Sequence, residues 1–222
     1  MITGANAITR RALVTAALVL AAAAAQAGRS CENRAPTVDA IQRSMLLAEH
    51  TARALDQSGA QVVVLARAGQ NLSEYHLRYS HLGFAYRDAE QHWRVVHKLN
   101  QCGSANGSLY RQGLGEFFLD DLYEYEAAIV VPRPDVQARL LPALQDNARV
   151  AQLNTPAYSI LAYPWAQTYQ QSNQWAIETL AMTQDPAAQT RVRAQAWLQL
   201  QGYQPTTLHI GPLKRLGGRL TA

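Results

Sequence analysis

The sequence predicts an α+β domain in which a small antiparallel sheet is flanked by helices. Apolar residues recur at steps of three and four between Thr37 and Gly59, as in an amphipathic helix. Short β-branched runs such as Val62-Val63-Val64-Leu65 are typical of buried strands. Three further helical stretches follow the strands, so we expect helices around one central sheet.

Composition narrows the class of protein. The 222-residue chain is 48% hydrophobic and 16% charged, with 20 Lys and Arg, 16 Asp and Glu, and two Cys. Such a chain is too apolar for a disordered tail, and two Cys are too few for a disulfide-built miniprotein or a multi-zinc scaffold. No internal repeat or linker is visible, so residues 28–222 are predicted to form a single domain.

The first 27 residues have the pattern of a secretory signal peptide. Arg10 and Arg11 precede an apolar run over residues 12–25, and Ala25-Gln26-Ala27 matches a small-residue cleavage site. We therefore expect cleavage near Ala27 and a periplasmic or secreted protein.

No apolar stretch is long enough to span a membrane. Cleavage lowers the net charge from +4 to +2, so the high pI does not indicate a nucleic-acid partner.

Cys31 and Cys102 are the only cysteines. In an oxidising compartment an even pair of this kind predicts one disulfide. Two free thiols, or one functional thiol, are the alternatives.

The N-terminal half of the domain contains one helix and three strands. Thr37 is the expected N-cap of the helix, and Gly59 the residue that ends it. Its apolar stripe comprises Val38, Ile41, Met45, Ala48, Ala52 and Leu55. The predicted strands cover residues 61–67, 79–87 and 92–99, with a turn at 88–90. A loop over 101–108 and a helical turn at 115–119 follow.

The C-terminal half begins with a strand over residues 126–131 and a helix over 135–149 that Pro142 is expected to break. A short extended piece at 158–163 precedes a helix capped by Ser172 or Asn173 and ending at Met182. The last helix is expected from Pro186 to about residue 201. The domain thus divides into an N-terminal helix (37–58), a core (61–182) and a C-terminal helix and tail (186–222).

Two histidines are the main candidates for chemistry. With a three-residue hairpin loop, His81 lies directly opposite His97, and the two imidazoles touch. Such a pair suits a general base and the residue that orients it. The alternative is a pair of ordinary strand residues. Two His without a third ligand are a weak zinc signal, so neither a metal nor a cofactor is predicted.

The segment Ser80-His81-Leu82-Gly83-Phe84 resembles the histidine strand of NlpC-type cysteine peptidases, and His97 is similar to their third polar residue. The order of elements resembles the circularly permuted branch, in which a late helix carries the thiol. That helix matches Ser172-Asn173-Gln174-Trp175, with Gln174 where the Cys belongs. The resemblance implies a permuted papain-like architecture and a pocket formed by His81, His97 and the start of this helix.

Nearly the whole mature chain also resembles an uncharacterised exported bacterial family, domain of unknown function 2145. The shared motifs are Asn100-Gln101-Cys102-Gly103, Tyr110-Arg111-Gln112-Gly113-Leu114 and Ser172-Asn173-Gln174-Trp175.

Together these resemblances favour a non-catalytic binding protein or pseudo-enzyme of the envelope. Its ligand would be peptide-like or acyl, with Tyr79, Asn173 and Trp175 as binding residues. The alternatives are a hydrolase using His81 as base with Ser172 or Cys102 as nucleophile, and a structural envelope protein. No oligomeric state is predicted.

Overall fold

The computed structural model describes residues 35–101, 103–212 and 215. The predicted signal peptide, Cys31 and Cys102 lie outside these residues, as does the predicted disulfide.

The strands are β1 (Val62–Ala68), β2 (His81–Arg87), β3 (Trp93–Asn100), β4 (Gly107–Gly113) and β5 (Glu124–Val130). The helices are α1 (Val38–Ser58), α2 (Leu114–Phe118), α3 (Pro134–Gln145), α4 (Asn147–Ala151), α5 (Ser172–Gln184) and α6 (Arg191–Leu200).

The five strands form one antiparallel sheet in the order β4-β3-β2-β1-β5. The predicted class, a small antiparallel sheet with flanking helices, is therefore confirmed. Strand β4 was not predicted, because its sequence is polar and bounded by Gly107 and Gly113. It forms because β3 offers a full ladder of backbone partners, from Arg94 to Asn100.

Alternate residues of each strand point to opposite faces of the sheet. On the front face, Val63, Leu65, Ala85 and Val95 pack in one hydrophobic cluster with residues of α1 and α2. On the back face, Val62, Phe84, Tyr86 and Val96 pack in a second cluster with residues of α3 and α5. Helix α6 packs against α5 in a third cluster, further from the sheet.

The predicted caps of α1 are confirmed. The side chain of Thr37 accepts a hydrogen bond from the backbone N–H of Ala40 at 3.1 Å. Gly59 ends the helix at φ 67°, where a residue without a Cβ is favoured.

The buried face of α1 differs from the predicted stripe. Ala48 and Leu55 are buried as expected, but Val38 is 72% exposed. Ile41 and Met45 are also exposed. The helix instead buries Ser44, whose hydroxyl donates to the backbone oxygen of Phe118 at 3.1 Å. The contact with α2 thus sets which side of α1 faces the core.

The hairpin between β2 and β3 has a five-residue connection, residues 88–92, rather than three. The backbone N–H of Asp88 donates to the oxygen of His92, and Phe84 pairs with Val96. The predicted register is therefore wrong by two residues. A shift of two leaves every side chain on the face that was predicted for it.

Three predictions for the C-terminal half are wrong in detail. The helix predicted over 135–149 breaks at Asp146, whose carboxylate caps α4 by accepting from two backbone N–H groups, and it continues through Pro142. Residues 158–163 form irregular turns rather than an extended piece. The last helix begins at Arg191, capped by Thr190, and not at Pro186.

No helix within the described residues has the length and hydropathy needed to cross a membrane.

Candidate functional site

The structure brings His81 and His97 together on the front face of the sheet. Nε2 of His81 lies 2.8 Å from Nδ1 of His97, and the ring centroids are 5.1 Å apart. The residue beside His97 on β2 is Gly83, where an added Cβ would lie 2.8 Å from the Cβ of His97. The glycine of the His-Leu-Gly motif thus provides the space that the second imidazole needs.

A chain of hydrogen bonds determines which ring nitrogens carry protons. The amide nitrogen of Gln112 donates to Glu116 at 3.1 Å, which turns its oxygen toward Nε2 of His97, at 2.7 Å. An amide oxygen only accepts, so Nε2 of His97 carries the proton and Nδ1 accepts from Nε2 of His81. Nδ1 of His81 then holds a lone pair, and it has no hydrogen-bond partner among the described residues.

Both imidazoles are neutral at neutral pH. Burial, and then the nearby charge of Arg67, lower the pKa of His97 to about 4, although its hydrogen bond with Gln112 opposes the shift. Burial, Arg67 and His97 together hold the pKa of His81 well below its usual range. A neutral pair does not supply the imidazolium that stabilises a catalytic thiolate.

Phe117 and Arg67 form the surroundings of the pair. The Phe117 ring lies 5.1 Å from the ring of His97 and 6.1 Å from that of His81. Arg67 is buried, stacks on Phe117 at 4.5 Å, and donates to the Phe117 backbone oxygen and the Asp120 carboxylate. Its fixed positive charge acts on both imidazoles from one side.

The start of α5 does not reach the imidazoles. It lies on the back face, where Trp175 packs against Phe84 with ring centroids 6.1 Å apart. The predicted pocket between His81, His97 and this helix is therefore wrong. The prediction failed because strand alternation places the imidazoles on the front face, while the apolar side chain of Trp175 packs into the back-face cluster.

The predicted nucleophile position and its neighbour have other partners. Gln174 is buried, and its amide nitrogen donates to the backbone oxygens of Pro164 at 2.9 Å and Ala166 at 3.1 Å. Ser172 is not the N-cap: Gln171 caps α5 by accepting from the N–H of Asn173. Ser172 hydrogen-bonds instead with the hydroxyl of Tyr158, which opposes the rise that burial causes in the pKa of that phenol.

The remaining predicted binding residues have other surroundings. Asn173 is exposed on the helix of the back face. The hydroxyl of Tyr79 donates to the carboxylate of Glu126 at 2.5 Å, and this bond, with burial, raises the pKa of Tyr79. Among the described residues, neither side chain is hydrogen-bonded to His81 or His97.

Asp88, Glu90 and His92 place possible metal-ligating atoms within 4.8 Å of one another in the β2–β3 connection. Both oxygens of Asp88 already accept hydrogen bonds, from the backbone of His92 and the guanidinium of Arg94. This group lies at the opposite end of β2 from His81, so it adds no metal ligand to the imidazole pair.

A second polar cluster, on the back face, was not predicted from the sequence. We call it the buried clamp; its members are Lys98, Gln170, Gln174, Glu178, Arg191 and Gln195. Glu178 is fully buried and forms a salt bridge with Arg191 at 2.8 Å. Burial, and then the charge of Arg191, lower the pKa of Lys98 to about 8, against the opposing charge of Glu178. The sequence signal that could have indicated it is the i, i+4 spacing of Gln174 and Glu178 on one side of α5.

The comparisons with known proteins address the family and not the chemistry. The model of a family described as "Uncharacterized protein conserved in bacteria (DUF2145)" matches residues 54–222, which include all five strands and both polar clusters. The chain belongs to this family, as the shared motifs predicted. Searches of curated proteins and of solved structures found no match.

Proposed function

We propose that the protein is an exported, non-catalytic binding protein of the bacterial envelope, whose ligand contacts the His81–His97 pair. The observation that carries this proposal is the separation of the two halves of the predicted catalytic site. The imidazoles pack with Phe117 on the front face, whereas Gln174 and Ser172 have their own partners on the back face.

The proton arrangement of the pair supports a ligand with a hydrogen-bond donor. Nδ1 of His81 presents a lone pair, and His97 holds the ring in one tautomer. A peptide N–H matches this acceptor, in keeping with the peptide-like or acyl ligand that the sequence resemblance implies. The neutral imidazoles add no charge, so the pair itself does not attract anions.

Covalent probes test the absence of catalysis. The mature protein, its His81→Ala variant and a His92→Ala control are incubated with a fluorophosphonate and with iodoacetamide. We expect no labelling that depends on His81. His92 lies in the exposed β2–β3 connection, so its replacement also removes one imidazole but leaves the His81–His97 pair intact. Labelling that disappears in His81→Ala and persists in His92→Ala would overturn the non-catalytic function.

A hydrolase is the second candidate, and the lone pair on Nδ1 of His81 is the observation that favours it. A base oriented by a second imidazole is what proton abstraction from a nucleophile requires. Ser172 hydrogen-bonds with Tyr158 on the back face, so the nucleophile would be Cys102, which lies outside the described residues. Peptide mapping of the alkylated protein tests this candidate: His81-dependent modification at Cys102 would show that His81 activates this thiol, as the hydrolase requires, and its absence would exclude Cys102 as the nucleophile.

A further inference from the structure

Residues 153–171 form an irregular segment that exposes aromatic and aliphatic side chains. Tyr163 is 64% exposed, Ile160 52% and Tyr169 44%. Trp165, in the same segment, meets Tyr203 edge-on with ring centroids 6.1 Å apart. Concentrations of exposed large side chains often mark an interaction site, whereas single ones do not. Their exposure on one short segment is therefore a feature to explain.

The buried clamp holds the backbone of this segment. Arg191 donates to the backbone oxygens of Ala166 at 2.7 Å, Gln167 at 2.8 Å and Tyr169 at 3.3 Å. Ala166 and Tyr169 share the same guanidinium nitrogen, so these two positions lie close together in space.

Other members of the clamp hold the two ends of the segment. Gln170 donates to the oxygen of Leu153 and accepts from the N–H of Thr155, both at 2.9 Å, and Lys98 donates to the oxygen of Thr155 at 2.5 Å. A loop held by buried side chains presents its exposed rings with little entropy left to lose on binding.

The segment and the start of α5 carry no charge. No Asp, Glu, Lys, Arg or His occurs from residue 153 to residue 177. Besides Pro156 and Ile160, the exposed side chains near the rings are neutral and polar, namely Gln167, Thr168 and Asn173. The amide nitrogen of Gln167 donates to Gln195 of the buried clamp, so Thr168 and Asn173 are the side chains left to meet a ligand. This surface therefore combines flat apolar rings with neutral hydrogen-bonding groups.

We propose that this surface binds a neutral glycan. Tyr rings offer an apolar plane to the C–H face of a sugar, and side-chain amides both donate to and accept from its hydroxyl groups. The absence of charge matches a ligand without carboxylate or phosphate. A lipid surface is disfavoured because the segment has no Lys or Arg to meet anionic headgroups. A contact with a second copy of this protein would use the same rings, since Tyr and Trp are enriched at interfaces, and the experiment below distinguishes it through self-association.

Calorimetric titration of the mature protein tests the proposal, with chitotetraose as a neutral amino-sugar oligomer and cellotetraose as a neutral oligomer without acetamido groups. We expect binding of at least one of the two. The Tyr163→Ala and Tyr169→Ala variants should each bind about tenfold more weakly, as when one aromatic anchor is lost. Tyr123→Ala is the matched control, because Tyr123 is 53% exposed but precedes β5; its affinity should equal that of the wild type.

Several results would overturn the neutral-glycan surface. The first is the absence of binding heat with either sugar, and the second is an equal loss of affinity in Tyr123→Ala. The third is tighter binding of an anionic oligosaccharide such as hyaluronan tetrasaccharide. Self-association that Tyr163→Ala abolishes would assign the surface to a protein contact instead. None of these results depends on His81, so they leave the proposal for the imidazole pair unaffected.

Discussion

His97 shows how three neighbours determine the state of one side chain. Gly83 leaves room for it, Gln112 fixes its tautomer, and burial beside Arg67 keeps it neutral. The sequence pointed to the contact with His81, because the two residues lie on adjacent strands of a predicted hairpin. The roles of Gln112 and Arg67 depend on strands that pair far apart in the chain, and no local pattern indicated them.

Acid should destabilise the protein through His97. Its pKa of about 4 in the folded state lies below the value of about 6.5 in the unfolded chain. Between these values the unfolded chain binds more protons, so stability falls as pH falls. At about pH 4.5 the loss from this one group is about 2–3 kcal/mol relative to neutral pH.

Urea unfolding at pH 7 and at pH 4.5 measures this loss. The difference in the free energy of unfolding between pH 7 and pH 4.5 should be smaller in His97→Gln than in the wild type. In the His92→Gln control it should remain as large as in the wild type. An unchanged difference in His97→Gln would show that the imidazole is not held neutral by the fold.

Gly83→Ala should separate the two imidazoles. The new Cβ would lie 2.8 Å from both the Cβ of His97 and the backbone oxygen of Val96, and backbone cannot move aside easily. We expect a loss of about 1–3 kcal/mol, typical of overpacking. Gly211→Ala is the control, since nothing lies within 4 Å of its Cβ. Equal melting temperatures of the two variants would contradict the crowding at Gly83.

At the level of elements, caps and strands follow local rules, whereas contacts between elements do not. The cap of α1 at Thr37 was predicted from adjacent residues alone. The break between α3 and α4 fell at Asp146 rather than at Pro142, because an aspartate that caps a new helix ended the old one. Helix α5 was predicted nearly residue by residue, but its position on the back face was not.

The salt bridge between α5 and α6 should be the most sensitive contact of the clamp. Arg191→Met leaves the carboxylate of Glu178 buried without its cation, which costs about 3–5 kcal/mol. Arg193→Met, two residues further along α6 on an exposed side chain, should change stability by no more than about 0.5 kcal/mol. Denaturant unfolding of both variants measures the contrast, and similar losses would contradict the importance of the buried ion pair.

For the whole molecule, the sheet separates two polar systems. The imidazole pair lies on the front face with α2, and the buried clamp lies on the back face between α5, α6 and residues 153–171. Each has its own set of hydrogen bonds, and the described residues show no hydrogen bond from one to the other. Ligands of the two faces should therefore bind independently of each other.

Double variants test this separation. His97→Gln and Arg191→Met should have additive effects on the free energy of unfolding, within about 0.5 kcal/mol. Glu178→Gln and Arg191→Met, which share one salt bridge, should instead show a coupling of about 1 kcal/mol or more. Strong coupling between His97 and Arg191 would show that the two faces communicate through the sheet.

The sequence by itself determined the class of fold, four of the five strands, the caps of α1 and the neighbouring positions of His81 and His97. These features follow from residues close together in the chain, because the spacing of apolar residues and the capping of helix ends are local effects. The tertiary structure decided which helix covers which face. That choice depends on Trp175 packing against Phe84 and on Phe117 packing against His97, contacts between distant segments whose apolar surfaces are removed from water together.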